Sequence, residues 1–238
     1  MKKKILCIIL ARSGSKSVKN KNIRKLNNHP LIAYTIKSAI KTNLFKNIIV
    51  STDSKKIKNI SKKYGAEVPF LRPKFLSRDN SRAVDALYHA LKFCEKKYKT
   101  KYDYIVELMS TNPFKNSLDI KKVVRNQIKS KADSVIAVMK LEDHHPIRIK
   151  RLVNKKIRNF CLREIPETNR QDLKPAAYIR CGSIYSMRRD MLLKKIRYGT
   201  SNSIAYIMPR KRVVNIDEKL DFEFAEFLMK KYSIKLEK

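Results

Sequence analysis

The unbroken apolar run Ile5-Leu6-Cys7-Ile8-Ile9-Leu10 constrains the fold more than any other stretch. Six apolar residues without alternation suit a strand covered on both faces, the centre of an α/β sheet with helices above and below. The run is too short to span a membrane. It is followed by Arg12 and Lys16 rather than a small-residue cleavage site, which argues against a secretory leader despite the preceding lysines. After Leu10 the character changes to Ala11-Arg12-Ser13-Gly14-Ser15-Lys16-Ser17-Val18-Lys19-Asn20-Lys21-Asn22. Small residues let backbone N–H groups approach anionic oxygens, while Arg12, Lys16 and Lys21 supply charge. A polyanion, in particular a nucleoside triphosphate, is therefore expected at the end of the first strand. The loop is neither a Walker A nor a dinucleotide-binding fingerprint. Leu10 and Ser15 stand where the former needs glycines, and Gly14 is the single glycine of the region.

The remaining pattern extends the α/β reading. Pro30 suits a first helical turn, with Leu31, Ile32, Thr35, Ile36 and Ala39 on one face. Residues 47–53 read as a second strand, and Asp53 or Ser54 as the cap of a helix that stops at Gly65. Residues 66–71 read as a third strand ended by Arg72-Pro73. Residues 83–96 form a helix with Val84, Leu87, Leu91 and Cys94 inward, and 103–109 a fourth strand. Its tip, Ser110-Thr111-Asn112-Pro113-Phe114, lies where open α/β sheets place ligands. Ser117 is expected to cap a helix carrying Ile120, Val123, Val124 and Ile128, before a fifth strand at 133–138. Further strands are expected at 182–187, with a helix behind it, at 203–208 and at 213–217. A closing helix over 218–231 is expected to turn Leu220, Phe224, Phe227 and Leu228 inward. The fold class is α/β, a doubly wound and mostly parallel sheet. One domain over 1–238 is expected, with an inserted arm at 140–181, where the pattern loosens and 155–162 forms an excursion strand.

The formal charge of +35 invites a nucleic-acid reading. The 56 Lys and Arg residues are nevertheless spread along the whole chain. No zinc-finger spacing, aromatic RNP signature or helix-turn-helix pattern accompanies them. The charge reads as solvated helix faces that draw in anionic substrates, without a nucleic-acid partner. The four cysteines, Cys7, Cys94, Cys161 and Cys181, show no C-x-x-C pair. Free thiols, a cytoplasmic location and no membrane partner are expected. His144-His145 is not a metal pair, because adjacent residues of an extended chain point apart. Cys181 has no partner base in the sequence and reads as packing.

Several short motifs combine in order along nearly the whole chain. Ala11-Arg12, Ser15-Lys16, Lys21-Asn22 and Pro30-Leu31-Ile32-Ala33-Tyr34-Thr35-Ile36 closely resemble the start of the acylneuraminate cytidylyltransferases, the CMP-sialic acid synthetases. The resemblance continues at Ile49-Val50-Ser51-Thr52-Asp53, Leu71-Arg72-Pro73 and Thr111-Asn112-Pro113. It returns at Arg170-Gln171-Asp172-Leu173, Gly182-Ser183-Ile184-Tyr185 and Ile216-Asp217. It implies that the anomeric hydroxyl of a nine-carbon 2-keto acid sugar attacks the α-phosphate of CTP, giving a CMP-sugar and pyrophosphate. By the same resemblance, CTP would lie against Leu10, Ala11, Arg12, Gly14, Ser15, Lys16, Lys21, Asn22 and Arg72. Arg12 and Lys21 would stabilise the transition state, and Asn22 would read cytosine or ribose. The sugar would lie over Thr111, Arg170 and Tyr185. Mg2+ is implied at Asn215 and Asp217, and a homodimer through the 140–181 arm.

Three positions depart from the family pattern. Asn215 replaces the first Asp of an Asp-Ile-Asp segment, which weakens the metal site because a neutral amide binds Mg2+ less well. Met109 replaces a common Gln, and Cys181 the usual Asn before Gly182; both lose hydrogen-bonding capacity. Polar matching governs discrimination between sugars. The expected substrate is therefore a legionaminic- or pseudaminic-type acid rather than N-acetylneuraminate. A 3-deoxy-manno-octulosonate-type sugar and a non-enzymatic nucleic-acid-binding module are the alternatives.

Overall fold

The structure is a computed structural model describing residues 3–164 and 169–237, so part of the expected arm, 165–168, lies outside the described residues. In chain order the main elements are β1 (Ile5–Leu10), α1 (Leu31–Lys41), β2 (Asn47–Ser51), α2 (Lys55–Lys63), α3 (Ala83–Lys97), β3 (Tyr104–Leu108) and α4 (Ser117–Ser130). They continue with β4 (Ser134–Lys140), β5 (Lys150–Val153), β6 (Lys156–Asn159), β7 (Tyr178–Arg188), α5 (Arg189–Leu193), β8 (Ser203–Ile207) and α6 (Lys219–Lys231). Six strands form one sheet in the order β8-β4-β7-β3-β1-β2. All neighbours are parallel except β7, which runs antiparallel between β3 and β4.

β1 occupies the covered position that its apolar run requires. Cys7 and Ile9 face a cluster completed by Ile32 and Ile36 of α1, Ile57 of α2, and Ile120 and Val123 of α4. Leu6 and Ile8 face the other way, onto Leu87, Leu91 and Cys94 of α3 and Leu192 of α5. Alternate residues of one strand thus feed two cores, the doubly wound arrangement. Local chemistry sets the helix starts. The Ser54 side chain accepts from the Ile57 amide at α2. Asn116 and Asp119 form a reciprocal capping box at α4, so the cap is Asn116 and not Ser117. Glu218 and Asp221 do the same at α6.

Other expectations change as well. The strand expected over 66–71 reduces to one bridge, Ile49 to Glu67, because Pro69 removes a ladder donor in its middle. Residues 213–217 form no strand; they cross the carboxyl edge of the sheet, held where the Ile216 amide donates to Thr111 O at 2.8 Å. α6 turns Phe222, Ala225 and Met229 inward, against Leu26, Leu31 and Tyr34, and leaves Leu220, Phe224 and Phe227 exposed. That helix carries two apolar stripes, and the burial of Phe222 decides between them. Ile128 of α4 is likewise partly exposed.

Between β4 and β7 the chain leaves the sheet. β5 and β6 form a separate two-stranded ladder with Leu152, Ile157 and Phe160 exposed. His145 anchors its base, with Nε2 2.9 Å from Pro175 O and Nδ1 accepting from the Ile147 amide, which leaves neither nitrogen for a metal. No helix among the described residues is long and apolar enough to cross a membrane. All four cysteines are free.

Candidate active site

The loop after β1 lies at the carboxyl edge of the sheet, where the ends of β1, β2 and β3 meet. Its shape is held by polar clamps and by Val18, buried against Leu31 and Phe222. Asp53, at the tip of β2, accepts from the Ser13 amide at 2.8 Å and the Ser13 hydroxyl at 2.7 Å. Asn22 donates to Arg12 O at 3.1 Å and accepts from the Ser110 hydroxyl at 2.6 Å, tying the loop to the end of β3. Asn22 is buried, with both ends of its amide engaged inside the loop. The Ala11 amide is spent on Ser51 O, and the Ser15 amide on Ser13 O. The amides of Gly14 and Lys16 have no hydrogen bond among the described residues and remain available to an anion. Asn20 adopts a left-handed backbone and leads into a short 3-10 turn, Lys21–Ile23.

That turn places Lys21 in a buried position, with its Nζ 3.0 Å from Asp217 Oδ1. Arg12 and Lys16 share one carboxylate, Asp79, at 2.8 and 2.7 Å. Both pairs hold the Asp79 carboxyl below its ordinary range, with the Lys16 bond the larger cause. Arg12 and Asp79 also border a cavity of about 270 Å³ shared with Leu10 and Arg72. Arg72 is 6% exposed, and its Nε and Nη2 have no hydrogen-bond partner among the described residues. Burial lowers its pKa, with Asp53 opposing and Arg12 adding to the shift. An unpaired buried guanidinium is costly and awaits an anion. Arg72→Met should weaken CTP binding about 10- to 100-fold, the range of charged hydrogen bonds. It should leave the thermal stability of the ligand-free protein unchanged or higher, because a buried unpaired charge is removed. Calorimetric titration and thermal unfolding check the two halves; unchanged CTP affinity contradicts the assignment.

Beyond β3 the segment 109–113 is stapled from below by Lys115. This lysine is 1% exposed and donates to Thr35 Oγ1 (2.9 Å), Met109 O (2.6 Å) and Asn112 O (2.6 Å). Burial pulls its pKa down to about 7, with Cys7, Cys181 and Asp119 opposing. Asn112 donates to Cys181 O and to Asn215 Oδ1 at 3.2 and 3.3 Å. Gly182 has φ of 55°, and a Cβ there would lie 3.2 Å from Asn215 Oδ1, so a side chain would be strained and would push the Asn215 amide aside. Cys181 is buried with its Sγ 3.6 Å from Met208 Sδ, in the packing role expected of it, and burial lifts its thiol to about 11.

The expected sugar residues are not gathered in one place. Thr111 sits at this edge. Tyr185 stands opposite Glu107 of β3, buried, with the Arg197 guanidinium 3.8 Å from its ring centroid. Arg170 lies on the arm, 2.7 Å from Asp143, and lines a different cleft of about 680 Å³ with His145. Sequence reasoning missed Lys115, Arg197 and Asp79, whose roles depend on long-range packing and carry no local signature.

The Mg2+ implied by the resemblance depends on which donors the 215–221 edge offers. Among the described residues no three His, Cys, Asp or Glu side chains converge as a metal site. Asn215 Oδ1 already accepts from Asn112, Asp217 Oδ1 from Lys21, and Asp221 caps the amides of Asp217 and Glu218. Residues 215 and 217 are both exposed, as alternation requires, yet they offer only one carboxylate. That donor set fits Mg2+ held by a single protein carboxylate together with substrate phosphates and water, and it does not fit a two-carboxylate cage.

Comparison with known proteins gives a consistent set of likenesses. A family model described as cytidylyltransferase matches residues 6–229. Post-translational flagellin modification protein B of Campylobacter coli is 35% identical, covering 97% of each chain. CMP-N,N'-diacetyllegionaminic acid synthase of Campylobacter jejuni is 36% identical over 94% of each. N-acylneuraminate cytidylyltransferase of Escherichia coli is 32% identical over 97% of this chain and 53% of its own length. Among solved structures, a CMP:2-keto-3-deoxy-manno-octonic acid synthetase complexed with CTP superposes with a TM-score of 0.69 at 17% identity, covering 96% of this chain and 99% of that one.

Proposed function

The chain belongs to the cytidylyltransferase family, and we propose on that premise that it transfers the cytidylyl group of CTP to a nine-carbon 2-keto acid sugar of legionaminic or pseudaminic type. The observation that supports this reading is the carboxyl-edge loop: Arg12 and Lys16 meet at Asp79, Arg12 borders one cavity with buried Arg72, and buried Lys21 of the same loop reaches Asp217, with unspent backbone amides between. The anomeric oxygen forms a bond to the α-phosphorus as the bond to the bridging oxygen of pyrophosphate breaks, and the hydroxyl proton is released. Negative charge grows on the leaving pyrophosphate. Fixed cations stabilise that charge without reorganising, and this is the largest contribution a protein makes to such a transfer. Arg12 and Lys16 hold the triphosphate after exchanging Asp79 for phosphate oxygens, and Lys21 faces the developing charge.

Asp217 supplies the protein carboxylate for Mg2+. When bound with CTP, the ion neutralises phosphate charge. Asn215→Asp should lower the Mg2+ concentration for half-maximal turnover several-fold, and Asp217→Asn should raise it. Magnesium titrations of both variants check this; no change in either variant contradicts the assignment.

The arm, which leaves the sheet over 141–177 because 140 and 178–181 pair in β4 and β7, forms the contact of a homodimer, supported by the exposed Leu152, Ile157 and Phe160 of its ladder. An arm that crosses between subunits brings Arg170 toward the partner's sugar site instead of its own. Free thiols and CTP dependence fit a cytoplasmic enzyme. Pyrophosphate release should be followed with CTP, Mg2+ and a panel of acid sugars. Turnover is expected with legionaminic- or pseudaminic-type acids; clear preference for N-acetylneuraminate or a 3-deoxy-manno-octulosonate contradicts the sugar assignment.

A further inference from the structure

The face of the site toward α3 and α5 carries a buried ion pair that the transfer described above does not use. Glu107 is fully buried in β3 and accepts from Arg197 Nε at 2.5 Å. Its other oxygen has no hydrogen-bond partner among the described residues. Arg197 lies over Tyr185, and its Nη2 is 3.8 Å from Met109 Sδ. Tyr198 stacks on Tyr185 with centroids 5.7 Å apart, and Arg180 covers Tyr198 at 4.6 Å while bonding its hydroxyl. Met109 follows directly from β3 and leads to Thr111, so the cluster borders the edge where the resemblance puts the sugar.

A buried pair of this kind adds little stability over a well-packed apolar pair, because desolvation offsets the attraction. Its effect on geometry is larger. Glu107 holds Nε, the Tyr185 ring holds the plane, and Met109 limits Nη2. Nη1 has no hydrogen bond among the described residues, on a side chain that keeps 16% of its surface exposed. Arginine's planar fork keeps a fixed direction once one edge is engaged. Tyr185, which the family resemblance implies as a sugar residue, lies beneath this group.

We infer that Arg197 is a specificity-determining residue, donating from Nη1 to an oxygen acceptor of the acid sugar, either its carboxylate or an acyl carbonyl, with Glu107 as its positioning residue. The inference rests on the acid-sugar reading above. Its test is the double variant R197M/E107L, which replaces the pair by apolar side chains and so leaves no unpaired buried charge, with folding confirmed by thermal unfolding. With N,N'-diacetyllegionaminic acid as the probe, the sugar KM should rise about tenfold or more, while the CTP KM stays within about twofold, less than one such bond. Glu107→Gln should raise the sugar KM by less. The analogue, deacylated or carboxyl-esterified, on which wild type and double variant no longer differ identifies the acceptor. An unchanged sugar KM, a parallel rise in both KM values, or a difference that persists on both analogues overturns the inference. Absence of wild-type turnover on every acid sugar would instead remove the functional reading and the inference with it.

Discussion

Lys21→Ala should lower kcat by about 10²- to 10³-fold, the loss seen when one preorganised donor to a developing oxyanion is removed, while CTP binding changes by less than about tenfold. The asymmetry follows from where Lys21 sits. Its side chain is 10% exposed, and Asp217 holds its ammonium at 3.0 Å. A desolvated, fixed charge acts more strongly on a transition state than a mobile surface lysine can. Lys16, by contrast, is 81% exposed and, among the described residues, paired with Asp79 alone, so Lys16→Ala should act mainly on CTP affinity. Stopped-flow pyrophosphate release and calorimetric CTP titration separate the two effects. Equal turnover in Lys21→Ala would refute its catalytic role.

Lys115→Met should destabilise the protein by about 2–4 kcal/mol, because three buried acceptors lose their donor while a desolvated charge is also removed. In a chain of this size that corresponds to a fall in Tm of about 5–15 °C. The sugar KM should rise as well, since Lys115 holds Met109 and Asn112 in place. The same group makes stability depend on pH in a definite direction. In the unfolded chain a lysine keeps its proton to about pH 10.4; in the folded protein Lys115 loses it near pH 7. Between those values the unfolded state binds more protons, so the Lys115 contribution to stability increases with pH, by at most about 1.4 kcal/mol per unit. Below pH 7 both states are protonated, the slope disappears and the full cost of the buried charge remains. The buried thiols act oppositely. Burial raises Cys7 and lifts Cys94 to about 12 and Cys181 to about 11, so they reduce stability once unfolded thiols ionise near pH 8.5. The stability difference between wild type and Lys115→Met should grow from pH 7 to about 8, where unfolded thiols, with a pKa of about 8.5, are still mostly protonated. A difference independent of pH contradicts the protonation assigned to Lys115.

The parts of the fold legible in the sequence are those fixed by local chemistry. The apolar run at β1, the inward stripes of α1 and α3 and the cap at Ser54 depend on spacing within a dozen residues. The position of the basic loop after β1 was legible for the same reason; its shape was not, because Asp53 and Ser110 set it from 40 and 88 residues away. The third strand failed on Pro69, a local signal outweighed by the apolar residues around it. α6 was misphased because Leu220-Phe224-Phe227 and Phe222-Ala225-Met229 are both helical stripes, and the surface formed by Leu26, Leu31 and Tyr34 selects between them. In the site, Lys115 and Arg197 were hidden among 56 Lys and Arg residues. What distinguishes them is burial and their partners, 80 residues away at Thr35 and 90 residues away at Glu107. Arg170 and Tyr185 were placed together by resemblance, whereas the fold puts one on the arm and the other beneath Arg197.

The most direct measurement follows each phosphorus of CTP. With Mg2+, CTP labelled at the α-phosphate and a legionaminic- or pseudaminic-type acid, the α-label should appear in a new sugar phosphodiester. Label at the γ-position should appear only in pyrophosphate, in equal amount. Recovery of the α-label solely in CTP or CMP, with every acid sugar tried and with CTP demonstrably bound, would contradict cytidylyl transfer at this site.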